Sequence, residues 1–121
     1  NKIKNGKIYN QLLENVQGIS TPLQRTEYAE NIYWVYGILL DSKIATAEEM
    51  IDKLRRSKIG TRPFFFPMHQ QPVFKEMGIF EKQSFPISEK LYKYGFYLPS
   101  GLTLEPENIE QVAEILKRLI R

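Results

Sequence analysis

Residues 31–40, Asn-Ile-Tyr-Trp-Val-Tyr-Gly-Ile-Leu-Leu, constrain the fold more than any other stretch. Aromatic and β-branched residues dominate the run, so it reads as a strand. Side chains alternate across a strand, which puts Ile32, Trp34, Tyr36, Ile38 and Leu40 on one face and Tyr33, Val35, Gly37 and Leu39 on the other. A strand apolar on both faces is covered on both. The chain has 121 residues, and a domain of that size hides roughly two-thirds of its unfolded surface. Helices of the chain itself can cover one face. With so few elements, part of the second cover is expected from outside.

The neighbouring segments supply those helices. In residues 1–16, Ile8, Leu12, Leu13 and Val16 share one helical face; Gly18 ends the helix and Pro22 prevents its renewal. Thr46-Ala47-Glu48-Glu49 has the spacing of a capping box, with Met50, Ile51 and Leu54 facing inward behind it. Residues 59–65 read as a second strand. Residues 66–83 show little regular pattern beyond a short helix near 72–77. Residues 84–94 form a helix entered through Pro86 and stopped at Gly95, and residues 96–98 a brief strand closed by Pro99. The last helix opens at Glu105-Pro106-Glu107 and buries Ile109, Val112, Ala113, Leu116 and Leu119. The expected architecture is one α+β domain over residues 1–121, with a three-stranded, mostly antiparallel sheet and helices packed on one face.

The chemistry concentrates between Gly60 and Phe74. Three prolines, one arginine, the single histidine and Phe64-Phe65-Phe66 crowd into this stretch. Prolines on both flanks exclude a long central strand. The segment reads as a short strand running into a rigid apolar loop, of the kind that lines a pocket or a partner surface. Arg62 is suited to bind phosphate or carboxylate in a bidentate way, or is a surface arginine at a strand end. His69 is a structural or ligand-orienting hydrogen bonder, or else a general acid–base. The phenylalanines are core, although alternation turns at least one of them away from it.

Several functions are excluded or weakened. There is no cysteine, hence no disulfide framework and no thiolate nucleophile; a reducing, cytoplasmic compartment fits. The longest apolar run is far short of the ~20 residues that span a bilayer, and no secretory signal opens the chain. With one histidine, no Cys/His pair exists and no Ser/His/Asp triad can be placed. The glycines at 60, 95 and 101 are isolated, so no phosphate-cradling loop is present. No metal-ligand cluster is visible. A net charge of +3 reads as ordinary surface. Lys93-Tyr94-Gly95-Phe96-Tyr97 faintly echoes the aromatic strand of RNA-recognition modules, without its second small residue and valine, so a nucleic-acid partner is disfavoured. The chain opens on Asn1 rather than Met, which reads as a piece of a longer protein.

Taken in order, the motifs resemble a known family. They are Tyr33-Trp34-Val35-Tyr36-Gly37-Ile38, Leu54-Arg55, Ile59-Gly60-Thr61-Arg62-Pro63-Phe64-Phe65, Pro67-Met68-His69-Gln70-Gln71-Pro72, Phe85-Pro86 with Glu89-Lys90-Leu91, and Gly95-Phe96-Tyr97-Leu98-Pro99-Ser100-Gly101. This series resembles the C-terminal part of DegT-type, pyridoxal-phosphate-dependent nucleotide-sugar aminotransferases, above all the perosamine-synthetase-like members. The resemblance implies the small domain of a fold-type-I aminotransferase, which moves an amino group, commonly from glutamate, onto a nucleotide-linked keto-sugar. Related dehydratases share this domain. The family's Schiff-base lysine, its pyridinium-binding aspartate and most phosphate contacts lie in a large N-terminal domain. The chain alone is therefore expected to carry no catalytic residue, to bind no pyridoxal phosphate and to be inactive. By the same resemblance, Arg62 meets the nucleotide phosphates or sugar, and His69 the sugar hydroxyls or the cleft wall. Phe64, Phe65, Phe66 and Met68 supply apolar walls. The implied partners are the missing large domain, the nucleotide-sugar and a second subunit of a homodimer; no membrane is implied. The competing reading is a stand-alone α+β module that binds RNA or a protein.

Overall fold

A computed structural model describes residues 1–121. In chain order the elements are α1 (Lys2–Leu13), β1 (Ile19–Ser20), β2 (Tyr36–Leu40), α2 (Ala47–Arg56), β3 (Arg62–Pro63), a 3₁₀ turn (Met68–Gln70), α3 (Pro72–Glu76), α4 (Pro86–Tyr94), β4 (Gly95–Leu98) and α5 (Pro106–Ile120). The class is α+β, as expected. The sheet, however, has four strands in the order β1-β2-β4-β3, every pairing antiparallel. The additional strand is β1, which sets Ile19 opposite Leu40 and Ser20 opposite Leu39. Two residues carry no alternation that a sequence pattern could reveal. The bend that delivers them is glycine-dependent: Gly18 sits at φ +93°, where a side chain is strained.

The long strand over 31–40 is shortened to 36–40, and the cause is local. Asn31 Oδ1 accepts the Tyr33 N–H at 2.7 Å, while Asn31 Nδ2 donates to the Leu23 carbonyl at 3.0 Å. This asparagine-centred turn puts Tyr33 in the left-handed region, at φ +52°. One residue off the extended path reverses which side chains point inward. Tyr33 is buried, whereas Ile32 and Trp34, which alternation put on the face of Tyr36, Ile38 and Leu40, are 65% and 63% exposed. Tyr33 in turn explains a glycine inside α1. A Cβ on Gly6 would come within 2.2 Å of the Tyr33 ring.

From Tyr36 onward the alternation holds. Tyr36, Ile38 and Leu40 of β2 join Phe96 and Leu98 of β4 on one face, and α1, α2 and α5 bury that face with Tyr9, Leu13, Met50, Leu54, Ile109 and Leu116. The second expected strand, 59–65, contracts to Arg62–Pro63 at the sheet edge. Proline donates nothing to a ladder, and Lys58 at φ +64° still belongs to the exit from α2. The irregular stretch after β3 is held by an aromatic chain: Phe74 on Phe80, Phe80 on Phe85, and Phe85 on His69, with ring centroids 5.9, 5.9 and 4.9 Å apart. No helix is long and apolar enough to cross a membrane.

Candidate functional site around Arg62 to His69

The segment from Arg62 to His69 leaves the sheet at its β3 edge, and its side chains go to three different places. Arg62 pairs with Tyr97 and Pro63 with Phe96. Arg62 is exposed and its guanidinium enters no ion pair or hydrogen bond. Beside it, the Thr61 hydroxyl is buried without a partner. Two hydrogen-bonding side chains are thus uncommitted at the head of the segment.

Phe64 turns back onto the sheet face away from α1, α2 and α5, which Leu91 of α4 flanks. Its ring stacks on Tyr97 with centroids 4.6 Å apart. It also lies over two glycines: a Cβ on Gly37 would stand 3.0 Å from the ring, and one on Gly95 2.7 Å. Phe64 floors a groove of about 510 Å³ shared with Pro22, Ile32, Trp34, Leu39 and Leu91. No residue lining this groove is charged. Phe65 is 73% exposed and meets Tyr97 edge-on. Phe66 stands edge-on to Tyr92. Met68 is 59% exposed.

His69 faces inward. Its side chain is only 10% exposed, with Nε2 2.9 Å from Glu89 Oε1. Gln70 Nε2 donates to the same carboxylate oxygen at 3.4 Å. The pair ties the loop to α4. Its neighbour is a second cleft, of about 870 Å³, between α2 and α4, with Asp52, Arg55, Glu89 and Lys93 on its walls. Of the residues singled out in the sequence, Arg62, Phe64 and Phe65 gather around Tyr97 at the sheet edge, while Met68 and His69 follow the loop toward α4 and line no groove with Phe64. Tyr97, Gly37 and Gly95 escaped notice as site residues. Their signal was faint: Gly37 interrupts an otherwise apolar strand, which marks a close approach by something else, and Gly95 reads as a helix stop.

The aromatic strand β4 offers no platform for stacking bases, because Phe96 is fully buried and Tyr97 lies under Phe64. No group of histidine, cysteine and carboxylates is placed to hold a metal. Pyridoxal phosphate needs a lysine free to form an imine and a cradle for its phosphate. Lys2 spends its ammonium on the backbone carbonyls of Trp34 and Ser100, and no lysine lines the groove over Phe64.

Residues 1–117 match the DegT/DnrJ/EryC1/StrS aminotransferase family. A protein of Methanocaldococcus jannaschii, named uncharacterized protein MJ1066, is 26% identical over 116 residues, or 94% of this chain and 30% of its own length. GDP-perosamine synthase of Vibrio cholerae is 29% identical over 86 residues, which are 70% of this chain and 23% of the synthase. In three dimensions, the aminotransferase TlmJ from Streptoalloteichus hindustanus superposes with a TM-score of 0.83 at 19% identity, covering 98% of this chain and 30% of that one. The chain thus spans under a third of the length of the curated relatives it matches.

Proposed function

From a chain that belongs to the DegT/DnrJ/EryC1/StrS aminotransferase family, we propose the C-terminal, cleft-forming domain of a pyridoxal-phosphate-dependent aminotransferase acting on a nucleotide-linked keto-sugar. The cofactor, when bound, supplies the electron sink for amino transfer; its site belongs to the larger remainder of the enzyme, and no step of that chemistry falls to residues of this chain. The role of this chain is to present ligand-binding groups and to close one side of the cleft.

The carrying observation is the uncommitted guanidinium of Arg62 on an exposed strand edge. A planar, permanently charged donor without a protein partner is the group that a diphosphate requires. The backbone at Arg62 is paired to β4, so the charge is presented at the edge of the sheet. The name GDP-perosamine synthase on a relative supports a sugar-nucleotide substrate. Homodimerisation and a cytoplasmic location belong to the same reading.

The test is steady-state kinetics of the intact enzyme carrying Arg62→Ala. A charge-assisted hydrogen bond contributes about 1.5–3 kcal/mol, so KM for the nucleotide-sugar should rise roughly tenfold or more, with KM for the amino donor unchanged. Unchanged kinetics would remove Arg62 from the site.

A further inference from the structure

We propose that Phe64 is a positioning residue for Arg62, seated in a socket that Gly37, Gly95 and Tyr97 build on the sheet face away from α1, α2 and α5. This deepens the proposed function and rests on its assignment of Arg62 to the nucleotide-sugar.

The argument begins with what does not hold β3. The strand is two residues long, lies at the sheet edge and contains Pro63, which has no N–H to donate. The next amide, that of Phe64, reaches the Gly95 carbonyl only at 3.4 Å, beyond the usual range for an amide hydrogen bond. Backbone pairing alone leaves such a segment free to fray. The anchor is a side chain, and of the three consecutive phenylalanines only Phe64 has a receptacle.

That receptacle is made by omission. Gly37 on β2 and Gly95 on β4 lie on the same face, on neighbouring paired strands. Neither has a positive φ, so neither is glycine for backbone reasons. Gly95 is additionally crowded by the carbonyl of Leu91, 2.4 Å from its would-be Cβ. At Gly37 the three nearest atoms belong to the Phe64 and Tyr97 rings, with the Phe64 ring carbons at 3.0 Å. Gly37 is therefore the cleaner witness that space was left for the ring. Tyr97 closes the socket by stacking and is also the register partner of Arg62. Arg62 and Phe64 are two residues apart, and alternation puts them on one face of the strand. Locking the ring thus fixes the direction in which the guanidinium leaves the sheet.

The experiment uses the full-length enzyme, with GDP and TDP as probes of nucleotide affinity and amide hydrogen exchange as the probe of the segment. Phe64→Ala should speed exchange of the amides that tie Arg62 and Phe64 to β4 at least tenfold, while the amides that pair β2 with β4 keep their protection. It should weaken nucleoside-diphosphate binding nearly as much as Arg62→Ala, and the double variant should be little worse than either, because both remove one interaction. Gly37→Val, which suits a strand but fills the socket, should reproduce the effect, and Phe64→Tyr, which keeps the ring, should restore most of the affinity. Unaltered exchange in both Phe64→Ala and Gly37→Val overturns the anchoring. So do affinity losses that add in full. If exchange quickens as expected but Arg62→Ala binds both nucleotides normally, the anchoring stands and the ligand assigned to Arg62 falls.

Discussion

Asn10 is held between two buried tyrosines. Its Nδ2 donates to the Tyr33 hydroxyl oxygen at 2.7 Å, and its Oδ1 accepts from the Tyr36 hydroxyl at 2.8 Å. Tyr9 stacks on Tyr36 with centroids 4.6 Å apart and donates to the Pro99 carbonyl at 2.8 Å. Asn10→Ala strands both hydroxyls away from water. At about 1–3 kcal/mol for a buried unpaired polar group, the loss of stability should be about 2–4 kcal/mol in urea unfolding; a loss within error would show that the hydroxyls find other partners. Burial pushes the phenols of Tyr9 and Tyr36 well above their ordinary range, and at Tyr36 the charges that Tyr33 and Tyr9 would carry add to this. The unfolded chain ionises these groups near pH 10 while the folded one keeps its protons. Their contribution is complete below that pH and is lost as pH climbs toward the raised folded-state values. The urea midpoint should hold steady to about pH 9 and then fall, and the fall should be shallower in Tyr9→Phe. Little of this cluster was legible in the sequence. Periodicity placed Ile8, Leu12, Leu13 and Val16 on the buried face of α1, but Tyr9 and Leu13 are its fully buried side chains. A tyrosine with a satisfied hydroxyl and an asparagine with two partners are indistinguishable from surface residues in a pattern of apolar positions.

At the scale of elements, legibility follows locality. The boundary of α2 was readable because its cause lies within four residues. Thr46 Oγ1 accepts the Glu49 N–H at 3.3 Å, and Glu49 Oε2 accepts the Thr46 N–H at 2.8 Å. The hydrogen bonds from Thr46 hold the Glu49 carboxyl below its usual range. What they contribute is present at neutral pH and is lost as pH falls through that lowered value. Thr46→Ala removes the cap and should cost about 1 kcal/mol, read as a lower thermal midpoint with no change in the sheet's amide protection; loss of protection in the sheet would instead make the cap part of the core's cooperative unit. The helices α4 and α5 were readable for the same reason, each entered through a proline at its first turn. The strands were not. β1 exists only because β2 receives it, β3 only because β4 and the Phe64 socket hold it, and the start of β2 is set by an asparagine turn two residues upstream of Tyr33. Their causes lie tens of residues away in the chain, or in one backbone angle.

For the molecule as a whole, the doubly apolar strand implied a second cover, and the structure shows where it is incomplete. Phe64 covers Gly37 and Gly95, but beyond it Ile32, Trp34 and Leu91 remain on the surface of a groove without a single charge, in a chain that is 26% charged. Nothing in that groove compensates a diphosphate, which separates it from the edge at Arg62 that we propose for the ligand. A contiguous exposed apolar surface drives association when left bare. The 121-residue chain on its own should therefore self-associate through this face. Trp34 is the only tryptophan and sits on its rim, so it reports the event directly. At low micromolar concentration its emission should be that of a solvated indole, shifting to the blue as concentration rises, in step with the mass measured by light scattering. Ile32→Asp combined with Leu91→Asp puts charge into the groove without touching the reporter, and should hold both emission and mass at monomer values across the range. Concentration-dependent mass with an unchanging Trp34 spectrum would place the association on another face. A monomer at every concentration would mean that the groove is too shallow to drive contact by itself.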